Sequence, residues 1–289
     1  MIGRQSRDVP LDAHVHTELS HDSVVEIDAY ARRALELGIA ELAITDHLDF
    51  APSAPGYGST TFGERERYVR EAADRWASQG VAIRFGAEIT WDRAWAESIT
   101  EHLARNAYDF VIGSVHVYRD SPYAAANVMG WVEGRSLAEI VAPYFDEVAA
   151  GARSGLFDVM GHIDFVKRFL VPHVTATDLA TAPELYEPIL DALIDSGTGL
   201  EINTSGLRSP AEESFPSAAI VRRFAEKGGH ALTIGSDAHG VDHLAWAFDE
   251  AHEWARDAGL EALTFRRGGA SRVEVDLPDA PNVSAGRSL

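Results

Sequence analysis

The sequence predicts an α/β fold: a single domain built as a barrel of seven βα units with parallel strands. Three observations carry that prediction. Seven short strand-like runs alternate with segments of helical periodicity along the 289 residues. The runs are continuously apolar rather than alternating, as strands covered on both faces are. No Pro/Gly/Ser linker divides the chain, so one domain fits better than two. An open, doubly wound sheet is the competing architecture.

Taken in order, the first strand is Leu11 to His16, and a helix from Val24 to Leu37 follows, with Val24, Ile27, Ala31, Ala34 and Leu35 at helical spacing and Gly38 as its stop. Glu41 to Asp46 reads as a buried strand ending in Asp46-His47. Pro52, Pro55, Gly56, Gly58 and Gly63 mark a loop, and Arg65 to Ser78 reads as helix. Val81 to Ile89 is a strand carrying Glu88 near its far end; Ile99 to Asn106 is helical, and Asp109 to His116 is the next strand. Val117 to Arg135 is irregular and holds Tyr118, Tyr123 and Trp131. The amphipathic helix Leu137 to Ala150 precedes a strand over 157–164. Pro183 to Asp195 is helical and Gly199 to Asn203 a strand. Ser217 to Glu226 is helical, Ala231 to His239 the last clear strand, and His243 to Ala258 the last helix. The domain is expected over 1–277, with a mobile tail over 278–289.

Composition narrows the function. No apolar run of about 18 residues is present, so no membrane span is expected. Met1 to Asp8 lack the apolar stretch of a secretory signal, and the expected location is cytoplasmic. The chain has no cysteine, which removes disulfides, thiolate metal sites and cysteine nucleophiles together. Any metal is then held by imidazole and carboxylate, which suit zinc, manganese or iron. A formal net charge of −20 argues against a nucleic-acid partner, because phosphate backbones need Lys/Arg surfaces. A solvated acidic surface accounts for most of that charge.

The polar residues collect at strand ends. His14 and His16 lie two apart on a strand, so their imidazoles share a face. A lone His-x-His proves little, but Asp46/His47, Glu88, His116, His162/Asp164, Asn203 and Asp237/His239 repeat the placement. In a parallel barrel those ends converge on one mouth, where barrel enzymes place their sites. Singly, each has an ordinary role as a satisfied core histidine or paired carboxylate. Together they are unfavourable without cations to coordinate.

These residues resemble the PHP (polymerase and histidinol phosphatase) superfamily. Its motifs stand here, in order, as Asp12-Ala13-His14-Val15-His16, Thr45-Asp46-His47, the strand-end Glu88, Gly113-Ser114-Val115-His116, Gly161-His162-Ile163-Asp164 and Gly235-Ser236-Asp237-Ala238-His239. Within it the chain is most similar to the monofunctional histidinol-phosphate phosphatases, on Ser20-His21-Asp22-Ser23, Asp46-His47-Leu48-Asp49-Phe50, Lys167-Arg168 and the run from Glu201 to Arg208. The resemblance implies a distorted (β/α)7 barrel with three divalent metal ions. It places His14, His16, Glu88 and Asp237 on the first metal. Glu88 bridges to a second, completed by His116 and His162; Asp22, His47 and His239 hold the third. Asp22 competes with the adjacent His21 for its place. Glu88, His116 and Asp237 are the candidate catalytic residues. Asp12 and Asp46 are expected to orient histidines through their other ring nitrogen, with a capping or turn role open for Asp46.

The implied reaction is hydrolysis of L-histidinol phosphate, a small-molecule phosphate monoester, in histidine biosynthesis. The expected attack is by a metal-bridging hydroxide, with no phospho-enzyme. Arg-His-Gly and Asp-x-Asp nucleophile motifs are absent as well as cysteine. Arg168 and Arg208 are candidates for the phosphate, since guanidinium forks match its oxygens, although surface ion pairing explains them equally. Asn203 is a candidate substrate contact, and Tyr118, Tyr123 and Trp131 lie in the loop best placed as a lid. Two rival readings stay open: a phosphoesterase of the same superfamily acting on nucleotides, short oligonucleotides or phosphotyrosine, and a metal-binding domain without activity.

Overall fold

Seven parallel strands lie side by side in chain order: β1 (Leu11–Val15), β2 (Glu41–Ile44), β3 (Ala82–Thr90), β4 (Phe110–Ser114), β5 (Val159–Met160), β6 (Gly199–Asn203) and β7 (Leu232–Gly235). The computed structural model describes residues 11–262 and the backbone of 265–268 and 271–274. The expectations for Met1 to Asp8 and for a tail over 278–289 lie outside the described residues. The last strand returns to the first. Val15 and Ala238 form a parallel bridge in which the His16 amide donates to the Ala238 carbonyl at 3.0 Å. Sequential order with this closure is a nearly closed barrel; a doubly wound sheet reverses its strand order midway.

Register delivers the site. A two-residue strand, His47–Leu48, pairs with β3 so that His47 stands opposite Glu88. β3 is the longest barrel strand and continues to Thr90, which pairs with Ser114. The strand expected over 157–164 pairs only at Val159 and Met160, after which the chain turns through His162 with a φ of 27°. A single polar turn at that point aims an imidazole into the mouth.

The helices α1 (Ile27–Leu37), α2 (Phe62–Ala77), α3 (Ala96–Arg105), α4 (Leu137–Ser154), α5 (Glu187–Ser196), α6 (Ala218–Glu226) and α7 (Phe248–Asp257) cover the outside. α1 buries Ile27, Tyr30, Ala31 and Ala34 and ends at Gly38, whose φ of 75° favours glycine. It starts at Ile27 rather than Val24, which is exposed. α2 starts earlier than its apolar spacing suggests because Thr61 and Glu64 form a reciprocal capping box. α7 starts later than expected: 241–243 is a 3₁₀ turn, and Ala245 and Ala247 have positive φ. The irregular stretch after β4 contains a short helix, Val128–Val132, and an antiparallel pair, Phe265–Gly268 with Ser271–Glu274, was not expected.

The strands feed two cores, one from each face. Leu42 and Ile44 pack outward with the helices, while Ala43 joins Ala13, Phe110, Ile112 and Val159 inside the barrel. Among the described residues no helix is long and apolar enough to cross a membrane.

Candidate active site

Glu88 is the centre of the mouth. It is fully buried, and five imidazoles surround it. Its Oε1 lies 2.8 Å from Nε2 of His162 and 3.2 Å from Nε2 of His116. Its Oε2 lies 2.8 Å from Nδ1 of His47 and 3.4 Å from Nε2 of both His14 and His16. Asp237 follows β7 with a φ of 52°, a conformation costly for a residue with a side chain. That turn brings its Oδ1 to 3.3 Å from His16 Nε2 and 3.4 Å from His239 Nδ1. Asp22 arrives from the loop after β1, its Oδ2 3.1 Å from His239 Nε2 and 3.3 Å from His47 Nε2. His21 sits beside it, its ring 5.2 Å from that of His47.

Three sets of these groups could hold a metal ion, with donor atoms within 4.8 Å of one another: His14, His16 and Asp237; His47, Glu88 and His116; and His16, Asp22, His47 and His239. All nine expected ligands converge on the mouth. The sharing differs in detail: His16 and His47 each enter two sets, and His162 reaches the site through Glu88. The donors fit divalent cations. His14 Nε2 and His16 Nε2 face each other at 2.9 Å, so a proton or a cation must lie between their lone pairs.

Burial alone would raise the carboxyls here, and the imidazoles reverse that. His47, His116 and His14 hold Glu88 well below the usual carboxylate range; His14, His16 and His239 do the same for Asp237. Asp22 is lowered by its bonds to His239 and His47. Burial pushes imidazoles down, but Glu201, Asp237 and Glu88 carry His14 well above its ordinary value, and Glu88 and Asp22 do so for His47. His162 and His239 are raised, against burial, by Glu88 and by Asp22 respectively. Burial and the neighbours His239 and His47 keep His16 well below, and burial lowers His116. The acids therefore stay anionic, and protons compete with cations for the rings.

The groups behind the ligands differ from expectation. Asp12 and Asp46 turn to neighbours other than a histidine ring. Asp12 accepts from the amides of Ser236 at 2.9 Å, Ala245 at 3.0 Å and His14 at 3.3 Å. Asp46 accepts from the Thr17 amide at 2.6 Å and hydroxyl at 2.8 Å. Asp12 ties β1 to the segments holding Ser236 and Ala245, and Asp46 ties the turn after β2 to the turn after β1. The carboxylate that grips a ring is Glu201, whose Oε1 lies 2.6 Å from Nδ1 of His14 and whose Oε2 accepts from the His162 amide at 3.0 Å. Ser20 and Thr90 stand 3.1 and 2.9 Å from Nδ1 of His16 and His116. A signal for Glu201 was present: it precedes Asn203 by two on β6 and so shares its face. Gly235 is needed opposite it, because a methyl group there would strike Glu201 Oε1 and His14 Cβ.

The cleft above this centre has a volume of about 510 Å³ and is lined by Tyr118, Phe165, Arg168, Phe169 and Arg208 among others. Arg208 donates to the Ser236 carbonyl at 2.9 Å, while its buried Nη1 has no hydrogen-bond partner among the described residues; burial also lowers its pKa. Arg168 is exposed and stands 5.8 Å over the Phe165 ring. Asn203, a candidate substrate contact in the sequence, is fully buried and turned to its neighbours: it donates to Glu201 at 3.1 Å and Asp237 at 3.3 Å and accepts from Ser205. Of the three expected lid aromatics only Tyr118 reaches the cleft. Tyr123 and Trp131 both donate to the Ile140 carbonyl and pack on α4.

A parallel barrel with six imidazoles and three carboxylates at one mouth defines an α/β barrel with a candidate polynuclear metal site. A family model described as PHP domain matches residues 12–205, and the chain belongs to that family. It is 30% identical over 257 residues to a probable histidinol-phosphatase of Deinococcus radiodurans, covering 88% of this chain and 96% of the relative. It is 27% identical to a histidinol-phosphatase of Lactococcus lactis, covering 88% of this chain and 93% of that one. Among solved structures it resembles a histidinol phosphate phosphatase of Lactococcus lactis complexed with zinc, L-histidinol and phosphate. The TM-score is 0.76 at 23% identity, over 90% of this chain and 98% of that one.

Proposed function

We infer that this chain is a phosphoric monoester hydrolase that converts L-histidinol phosphate to L-histidinol and phosphate. The observation that carries this reading is full-length similarity to histidinol-phosphatases in a chain whose mouth gathers all nine candidate ligands. We further propose three divalent cations, held by His14, His16, Glu88 and Asp237; by Glu88, His116 and His162; and by Asp22, His47 and His239. Nitrogen and oxygen donors suit zinc, manganese or iron, and zinc is the metal of the Lactococcus structure.

When bound, such cations lower the pKa of a coordinated water and offset the charge of the phosphoryl oxygens. The chain's residues supply the frame. Glu88 and Asp237, held anionic by the rings around them, give a fixed negative centre for the cations. Glu201 keeps hydrogen on Nδ1 of His14, leaving Nε2 turned into the site. Arg208 offers its unpartnered Nη1 to a phosphate oxygen, and Arg168 adds a second guanidinium at the rim. Phe165 and Phe169 form an apolar wall suited to the substrate's imidazole.

Turnover of histidinol phosphate, nucleoside monophosphates and p-nitrophenyl phosphate, measured side by side, tests the assignment. Histidinol phosphate is expected to give the highest kcat/KM. Preference for the nucleotides would replace it with the nucleotide-phosphoesterase reading.

A further inference from the structure

One buried carboxylate in the cleft lies outside the nine candidate ligands. Asp49, in the loop after β2, is 6% exposed, and both of its oxygens are engaged. Oδ1 accepts from the hydroxyls of Thr90 at 2.5 Å and Tyr118 at 2.8 Å; Oδ2 accepts from the Gly56 amide at 2.9 Å. Thr90 closes β3 two residues beyond Glu88, on the same side of the strand. Its Oγ1 also lies 2.9 Å from Nδ1 of His116.

The hydrogens along this chain can be counted. A carboxylate only accepts, so the single hydroxyl hydrogen of Thr90 goes to Asp49. Toward His116 the hydroxyl then offers a lone pair. Nδ1 of His116 must carry the hydrogen, and in the neutral ring Nε2 is left with its lone pair. That lone pair faces Glu88 Oε1 at 3.2 Å, an arrangement a divalent cation relieves.

We propose that Asp49 and Thr90 are positioning residues that hold His116 in its cation-binding tautomer, through an unbroken carboxylate–hydroxyl–imidazole chain. The Thr90 hydroxyl thereby sets the cation affinity of the Glu88–His116 part of the centre. Tyr118 bonds to the same oxygen of Asp49, so the wall of the cleft and the tautomer of His116 share one anchor. This inference rests on the reading of the mouth as a metal centre.

Zinc titration in competition with a chromophoric chelator tests it, on chelator-stripped wild type, Thr90→Val, Thr90→Ala and Thr90→Ser. Circular dichroism shows which stripped variants are folded at the titration temperature. Thr90→Val and Thr90→Ala are expected to bind in one class of site about tenfold to a hundredfold more weakly. Thr90→Ser, which keeps the hydroxyl, is expected to bind as wild type does. A Thr90→Ser as weak as Thr90→Ala makes the residue a packing element and overturns the proposal. So do folded Val and Ala variants that keep wild-type affinity, and either result leaves the metal-centre reading standing. A wild-type protein that takes up no zinc brings down the metal-centre reading and this inference with it.

Discussion

Glu201 touches three parts of the site at once: the ring of His14, the amide of His162 and the side chain of Asn203. Glu201→Gln replaces one carboxylate oxygen by an NH₂ group, which then faces a donor. We expect cation affinity to fall about tenfold to a hundredfold, read by metal content after dialysis, with kcat/KM falling alongside. Unchanged metal content would mean that His14 does not depend on its outer partner. The contrast with Asp12 explains what could be read in advance at this scale. Histidines and acids repeated at strand ends are conspicuous, so their convergence on one mouth was legible, whereas Asp22, in the loop after β1, was singled out only through the family resemblance. Some supporting partners come from residues far apart in sequence. His14 and Glu201 are 187 residues apart, and no local pattern ties one to the other. Asp12 sits in the motif itself, yet its carboxylate bonds to backbone amides.

At the scale of elements, the barrel works because strands of unequal length stop where their polar residues are needed. β3 runs long, so that Glu88 and Thr90 reach the mouth; β5 ends after two residues and releases His162 into a left-handed turn. β7 ends at Gly235, where β1 and β6 come close enough to exclude a Cβ. Gly235→Ala is therefore expected to push His14 and Glu201 apart. It should lower the melting temperature and metal content together, by thermal denaturation and metal analysis. A variant with full metal content and wild-type melting would show that the three strands can yield. Strand identity was legible from short apolar runs, whereas boundaries depended on tertiary contacts and caps. The Thr61–Glu64 capping box moved one helix start, and positive φ at Ala245 and Ala247 moved another.

For the whole molecule, cations and protons compete for the same buried rings. His14, His47, His162 and His239 have raised values in the fold, set by Glu88, Glu201, Asp22 and Asp237. In metal-free protein the stability they contribute is fully present below the ordinary imidazole value of about 6.5, and it is lost as pH rises through their raised values. Cation binding runs the other way, tightening as protons leave. The gap in melting temperature between metal-replete and metal-free protein should thus widen from about pH 6 to pH 8. A gap that stays flat or narrows would show that these rings do not exchange protons for metal. The seven-strand barrel was legible from the sequence because its strands pair in chain order. The added antiparallel pair, Phe265–Gly268 with Ser271–Glu274, left no comparable signal.

Phosphate release from histidinol phosphate, followed as bound metal is stripped with a chelator and then restored with zinc, tests the central claim most directly. Activity is expected to disappear with the metal, return on restoration, and stay absent in Glu88→Ala under both conditions. Phosphate release that persists in metal-free protein, or that survives Glu88→Ala, would contradict it.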